Sequence, residues 1–198
     1  PGNFSASVSD TLVTISGDYI LTIASLNGCT ATATANVLAN TNVPNLTANA
    51  NGVNGTITCI QTSVDLFANS NSPGAVITWT GPGNYSATGN FADASLPGLY
   101  TATATTPNGC QASINLTVPI DTAAPVVTVQ GDTITCNHPQ AFLFGYCTDI
   151  GVQYFWTGPG IGASNETQQN PMVSQPGAYD LVVTNPANGC TAYAQAIV

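Results

Sequence analysis

Pro97-Gly98-Leu99-Tyr100-Thr101-Ala102-Thr103-Ala104-Thr105-Thr106-Pro107-Asn108-Gly109-Cys110-Gln111-Ala112-Ser113-Ile114-Asn115-Leu116-Thr117-Val118 is the stretch from which the fold can be read. Its first half alternates with period two and is rich in β-formers, the pattern of a half-buried strand. Pro107-Asn108-Gly109 is a turn, with Asn-Gly as the hairpin signal. A second alternating run follows from Ala112 to Val118. The stretch is therefore a β-hairpin.

The same hairpin occurs three times. Asn-Gly-Cys stands at Asn27-Gly28-Cys29, Asn108-Gly109-Cys110 and Asn188-Gly189-Cys190, at steps of 81 and 80 residues. Trp-Thr-Gly-Pro-Gly stands at Trp79–Gly83 and Trp156–Gly160, and Ile-Thr-Cys at Ile57–Cys59 and Ile134–Cys136, both 77 apart. Pro-Gly-x-Tyr stands at Pro97–Tyr100 and Pro176–Tyr179, 79 apart. Fixed-period self-similarity on this scale is the mark of a repeat architecture. Pro1-Gly2-Asn3-Phe4-Ser5-Ala6 matches Pro82-Gly83-Asn84-Tyr85-Ser86-Ala87 in the same register, so the chain opens inside a repeat. The expected organisation is a C-terminal half-repeat over 1–40 and complete repeats over 41–120 and 121–198. The chain reads as a segment of a longer array.

Further strands are expected at 64–68 and 76–79, and no amphipathic helix of useful length is evident. About seven short strands in about 80 residues make an immunoglobulin-like β-sandwich. The fold class is thus all-β, in tandem sandwich repeats. A unit this small is near the lower limit for a self-sufficient core, so covalent staples are expected.

Composition narrows function by exclusion. The 198 residues include no lysine or arginine, nine carboxylates and one histidine, for a net charge of -9. Nucleic-acid binding and adsorption to anionic membranes both require cations that are absent. P-loop, Schiff-base and arginine-clamp chemistries fail for the same reason. Only 5% of residues are charged, yet 43% are hydrophobic, a composition unlike that of disordered chains. No run of about 18 apolar residues suggests a membrane span.

Six cysteines are present. Each complete repeat holds one in Ile-Thr-Cys and one in Asn-Gly-Cys, and the expected pairs are Cys59–Cys110 and Cys136–Cys190, with similar separations of 51 and 54. Cys29 and Cys147 are left unpaired in the segment. The partner of Cys29 would lie upstream, and Ser70 stands at the place of Cys147 in the previous repeat. A zinc site is not expected, because Cys-x-x-Cys spacing is absent and His138 is the sole histidine. Paired cysteines imply an oxidising, extracellular setting.

No catalytic set emerges. His138 reads as a solvated loop residue, with no nucleophile motif around it. The acids are scattered and form no Asp-x-Asp-x-Asp calcium loop, although Asp121 and Asp132 flank the start of the third repeat. Trp79 and Trp156, each followed by Thr-Gly-Pro-Gly, read as core indoles packed against the disulfide, with an aromatic platform for sugars as the alternative. No cofactor and no metal is expected.

Ile-Thr-Cys, a Val-x-Leu strand, Trp-Thr-Gly-Pro, Pro-Gly-x-Tyr-x-x-x-x-Thr and Asn-Gly-Cys-x-Ala together resemble the Ig-like repeats of giant secreted Bacteroidota surface proteins. Pro97–Val118 is similar to the repeat of SprB-type gliding adhesins. The resemblance covers nearly the whole chain. It implies export, by the type IX system, and display at the cell surface. Asp-Thr-apolar triplets resemble the acceptor of Bacteroidota O-glycosylation and imply glycans on Thr11, Thr122 and Thr133. The function expected is a non-enzymatic structural segment of an extracellular filament or adhesin stalk, self-assembling in one variant. Its partners would be neighbouring repeats or identical subunits. The competing expectation is a glycan- or surface-binding module of a secreted adhesin or enzyme.

Overall fold

The computed structural model describes residues 5–51 and 55–198. All regular structure beyond one short 3-10 turn, Pro82–Asn84, is β. The chain opens with β1 (Gly17–Ala24) and β2 (Thr30–Val37), an antiparallel hairpin paired from Gly17↔Val37 to Ala24↔Thr30. The expected match over Pro1–Ala6 falls mostly outside the described residues.

The first core is enclosed by β3 (Thr47–Ala50), β4 (Ile57–Thr58), β5 (Val64–Asn69), β6 (Val76–Gly81), β7 (Tyr85–Thr88), β8 (Phe91–Ala94), β9 (Gly98–Thr105) and β10 (Gln111–Val118). β3, β5 and β8 form one antiparallel sheet; β10, β9, β6 and β7 form the other. β11 (Ile120–Asp121) leaves this unit by running parallel to β4. Alternation places Val64, Leu66 and Ala68 of β5 inward, facing Tyr100, Ala102 and Ala104 of β9. Trp79 sits fully buried among them.

A second core is built from β12 (Val127–Gln130), β13 (Ala141–Phe142), β14 (Phe144–Cys147), β15 (Gln153–Thr157), β16 (Met172–Val173), β17 (Ala178–Thr184) and β18 (Thr191–Ile197). β15, β17 and β18 make its main sheet, and β12–β14 and β13–β16 are paired across from it. Tyr179, Leu181 and Val183 of β17 point inward with Leu143 and the fully buried Trp156.

Two of the repeated motifs prove to be halves of one lock. Tyr100 Oη donates to Leu96 O at 2.9 Å, and Tyr179 Oη to Gln175 O at 2.6 Å, the tyrosine-corner arrangement of Ig-like sandwiches. Tyr19 Oη donates to Ile15 O in the same way. Each buried ring needs the glycine of Trp-Thr-Gly. A Cβ on Gly81 would stand 2.5 Å from Tyr100, and one on Gly158 2.5 Å from Tyr179. The glycine of Pro-Gly-x-Tyr in turn makes room for the proline of Trp-Thr-Gly-Pro, since a Cβ on Gly98 would stand 2.6 Å from Pro82. Burial pushes the phenols of Tyr100 and Tyr179 above their ordinary pKa.

The indoles do not pack against a disulfide as expected, because the disulfide belongs to neither core cluster. Their polar ends differ. Trp79 Nε1 donates to Gly89 O at 3.1 Å, whereas the buried Trp156 Nε1 has no hydrogen-bond partner. Trp79→Phe therefore loses a hydrogen bond worth about 1 kcal/mol in addition to volume, while Trp156→Phe loses volume but removes an orphaned donor. Hydrogen exchange should show β9 amides destabilised by Trp79→Phe about 1–2 kcal/mol more than β17 amides by Trp156→Phe. Equal costs, or the reverse order, would contradict this difference.

Candidate functional site

The chemistry-bearing residues converge where the two cores meet. Cys59 is bonded to Cys190, with Cα atoms 5.1 Å apart and a sequence separation of 131. This corrects the expected pairs Cys59–Cys110 and Cys136–Cys190: Cys110 and Cys136 are free thiols, as are Cys29 and Cys147. Strand length supplies the reason. β4 lies beside the end of β10, where Ile57 N donates to Pro119 O at 2.9 Å. Cys110 stands at the opposite end of the β9–β10 hairpin, eight residues away. At about 3.4 Å per residue this is roughly 27 Å, far beyond the roughly 7 Å that a disulfide tolerates between Cα atoms. The Ile-Thr-Cys turn therefore meets the Asn-Gly-Cys turn of the following repeat.

The junction is built from a turn and a loop that fit each other. In the turn, Thr58 N donates to Gln61 O at 2.8 Å and Gln61 N to Thr58 Oγ1 at 3.0 Å. In the loop, Asn188 Oδ1 accepts from Cys190 N at 2.9 Å, and Gly189 adopts a φ of 71°. A side chain at Gly189 would collide with Ile60 of the turn. Cys59 N donates to Asn188 O at 3.1 Å across the contact. Asn188 Nδ2 then reaches the linker, donating to Asp121 Oδ1 at 2.9 Å and Ala123 O at 3.0 Å. One amide thus shapes its own loop with its oxygen and grips the linker with its nitrogen, which no carboxylate can do. Asn188 and Cys190 are each 1% exposed.

The same grip recurs one repeat earlier. Asn108 Oδ1 accepts from Cys110 N at 3.1 Å, and Asn108 Nδ2 donates to Asn40 Oδ1 at 3.1 Å and Asn42 O at 3.2 Å. Asn40 and Asn42 are the 81-residue counterparts of Asp121 and Ala123. The buried linker prolines Pro44 and Pro125 correspond likewise. In the sequence alone, Asn-Gly signals only a hairpin turn. The asparagine's presence in all three turns was the cue to its second role.

Other expected sites do not gather here. Asp121 Oδ1 is engaged by Asn188, and Asp132 Oδ1 accepts from Thr133 N at 2.7 Å. Among the described residues no three His, Cys, Asp or Glu side chains come together as metal ligands. His138 is exposed in a turn, its N–H donating to Thr135 O. Cys147 is half-buried against the second core. Thr11, Thr122 and Thr133 are exposed. No helix among the described residues is long and apolar enough to cross a membrane.

Comparison with solved structures places this architecture. A structure described as "Ca2+-stabilized adhesin helps an Antarctic bacterium reach out and bind ice" superposes with a TM-score of 0.55 at 17% identity, over 91% of this chain and 55% of that one. The two chains share a fold. A second structure, "Structural insight into host cell surface retention of a 1.5-MDa bacterial ice-binding adhesin", matches with a TM-score of 0.50 at 16% identity, over 91% of this chain and 72% of that one. The chain spans just over half the length of the first adhesin structure. No protein-family model and no curated protein matches the sequence.

Asn188→Asp tests the junction. It removes both linker hydrogen bonds and sets a carboxylate against Asp121, a like-charge contact. The concentration of dithiothreitol that half-reduces Cys59–Cys190 should fall by more than about tenfold, the equivalent of about 1.4 kcal/mol. Asn27→Asp, in the exposed β1–β2 turn, should leave it unchanged. An unaltered midpoint in Asn188→Asp would show that the grip contributes nothing to the staple.

Proposed function

We propose that this chain is a load-bearing structural segment of an extracellular filament or cell-surface adhesin stalk. The organisation read from the sequence, a half-repeat over 1–40 and repeats over 41–120 and 121–198, fits a rod that lengthens by adding units. The adhesin-type fold supports a module of a surface adhesin. The motif resemblance extends this to a Bacteroidota protein exported by the type IX route, with Thr11, Thr122 and Thr133, all exposed, as O-glycan acceptors.

The observation that carries the reading is the Cys59–Cys190 bond between successive repeats. A staple inside one sandwich would protect that sandwich alone. A staple from one repeat to the next fixes their relative placement and alters the path of tension. The complete burial of Trp79 and Trp156 withdraws the aromatic sugar platform on which the binding-module alternative relied.

Tension applied to the two ends passes through Cys59 and Cys190 and bypasses the 131 residue steps between them. Single-molecule stretching should therefore show the oxidised chain extending less than the reduced chain by roughly 43–47 nm, at about 3.3–3.6 Å per residue. Equal contour lengths in the two states would contradict a load-bearing role for the staple.

A further inference from the structure

The hairpin β1–β2 carries an apolar face that both later repeats bury. Tyr19, Leu21 and Ile23 occupy the places of Tyr100, Ala102 and Ala104 in β9, and of Tyr179, Leu181 and Val183 in β17. The β9 and β17 residues are 0–1% exposed, whereas Leu21 is 58% and Ile23 61% exposed. A groove beside the hairpin is lined by Val8, Tyr19, Leu21 and Ala35, and by Asp18 and Ile20 of the opposite face. Exposed apolar patches of this kind mark interaction sites.

Asn108, two residues before Cys110, holds the linker that follows β2 as Asn188 holds the linker that follows β10. The two loops differ in what lies over them. The Thr58–Gln61 turn covers Asn188, Gly189 and Cys190, with Ile60 against Gly189. At Gly109 a Cβ would meet nothing within 4 Å, Asn108 is exposed and Cys110 only half-buried.

We propose that the β1–β2 face and Cys110 form one docking surface for an N-terminal half-repeat of the same kind, a segment matching residues 41–81, whose Ile-Thr-Cys cysteine bonds Cys110. This deepens the stalk reading and rests on it: the staple from one repeat to the next becomes a ladder along the array. The occupant follows from the chain's own pattern, because residues 41–81 contribute β3 to β6 to the sandwich that buries the equivalent face of β9. Its turn would arrive preformed. The exposed Cys136 already sits in such a turn, with Thr135 N donating to His138 O at 2.8 Å and His138 N within 3.1 Å of Thr135 Oγ1, matching Thr58 and Gln61. The oxidant is a small disulfide such as oxidised glutathione. One thiolate displaces a glutathione thiolate to give a mixed disulfide, and the second displaces the other. The cysteine pair loses two electrons to the glutathione sulfurs, and its two protons end on two glutathione thiols.

The test extends the full chain by a second copy of residues 41–81 joined ahead of Pro1, folded in a glutathione redox buffer. Peptic mapping without reduction should join the added Ile-Thr-Cys cysteine to Cys110 and retain Cys59–Cys190. Exchange of the β1 amides should slow by more than roughly tenfold. A bond from the added cysteine to Cys29, a free added cysteine, or unchanged β1 exchange would each overturn the proposal, while an intact Cys59–Cys190 bond would leave the stalk reading standing. Absence of Cys59–Cys190 as well would remove both. In the extended chain with Cys110→Ser, β1 should stay protected while the added cysteine reacts with a thiol reagent. Loss of that protection would overturn the apolar face as the docking determinant.

Discussion

Seven or eight residues of extended chain separate the two ends of each hairpin, and that length governs how this protein is held together. The Asn-Gly-Cys turn lies at the end where the linker enters a repeat, and the Ile-Thr-Cys turn lies beside the linker that leaves it. A bond within one repeat would have to span the sandwich. A bond to the next repeat needs only a turn set against a loop, which Cys59 and Cys190 achieve. The staple, the Asn188 grip and the parallel pairing of β4 with β11 all follow from this head-to-tail placement.

With no lysine or arginine, the chain lacks the usual cationic partners for its acids, and neutral amides take that place. Asn36 Nδ2 donates to Asp18 Oδ1 at 2.6 Å, and Gln195 Nε2 to Asp180 Oδ1 at 2.7 Å; both pairs stand directly opposite across a hairpin. Asn188 does the same for Asp121 at the junction. Such contacts keep the donor geometry of an ion pair without a second charge, so they depend less on ionic strength than salt bridges do. The composition without cations thus has a structural counterpart in a surface tied by amides and a junction tied by sulfur.

The hairpins and the tandem all-β class were legible in the sequence because alternation and turn chemistry are local signals. Trp-Thr-Gly-Pro and Pro-Gly-x-Tyr were visible as motifs, but their mutual fit, Gly81 under Tyr100 and Pro82 under Gly98, is a contact across strands that no spacing reveals. The cysteine pairing was misread for a sharper reason. A periodic chain specifies a partner only to within a whole period: 51 and 131 differ by the 80-residue repeat itself. Choosing between them requires knowing which end of the sandwich each turn occupies. Asn188 was hidden similarly, since its turn-forming oxygen masks the linker-gripping nitrogen.

Direct mapping of the disulfides in the isolated, unreduced chain tests this account most closely. Pepsin at acid pH suits the task, because the chain has no trypsin site and thiol exchange is suppressed when thiols are protonated. The head-to-tail arrangement predicts a linked peptide containing Cys59 and Cys190, with Cys110 and Cys136 recovered outside that bond. Recovery of Cys59 with Cys110, and Cys136 with Cys190, would contradict it and restore each repeat as a separately stapled unit.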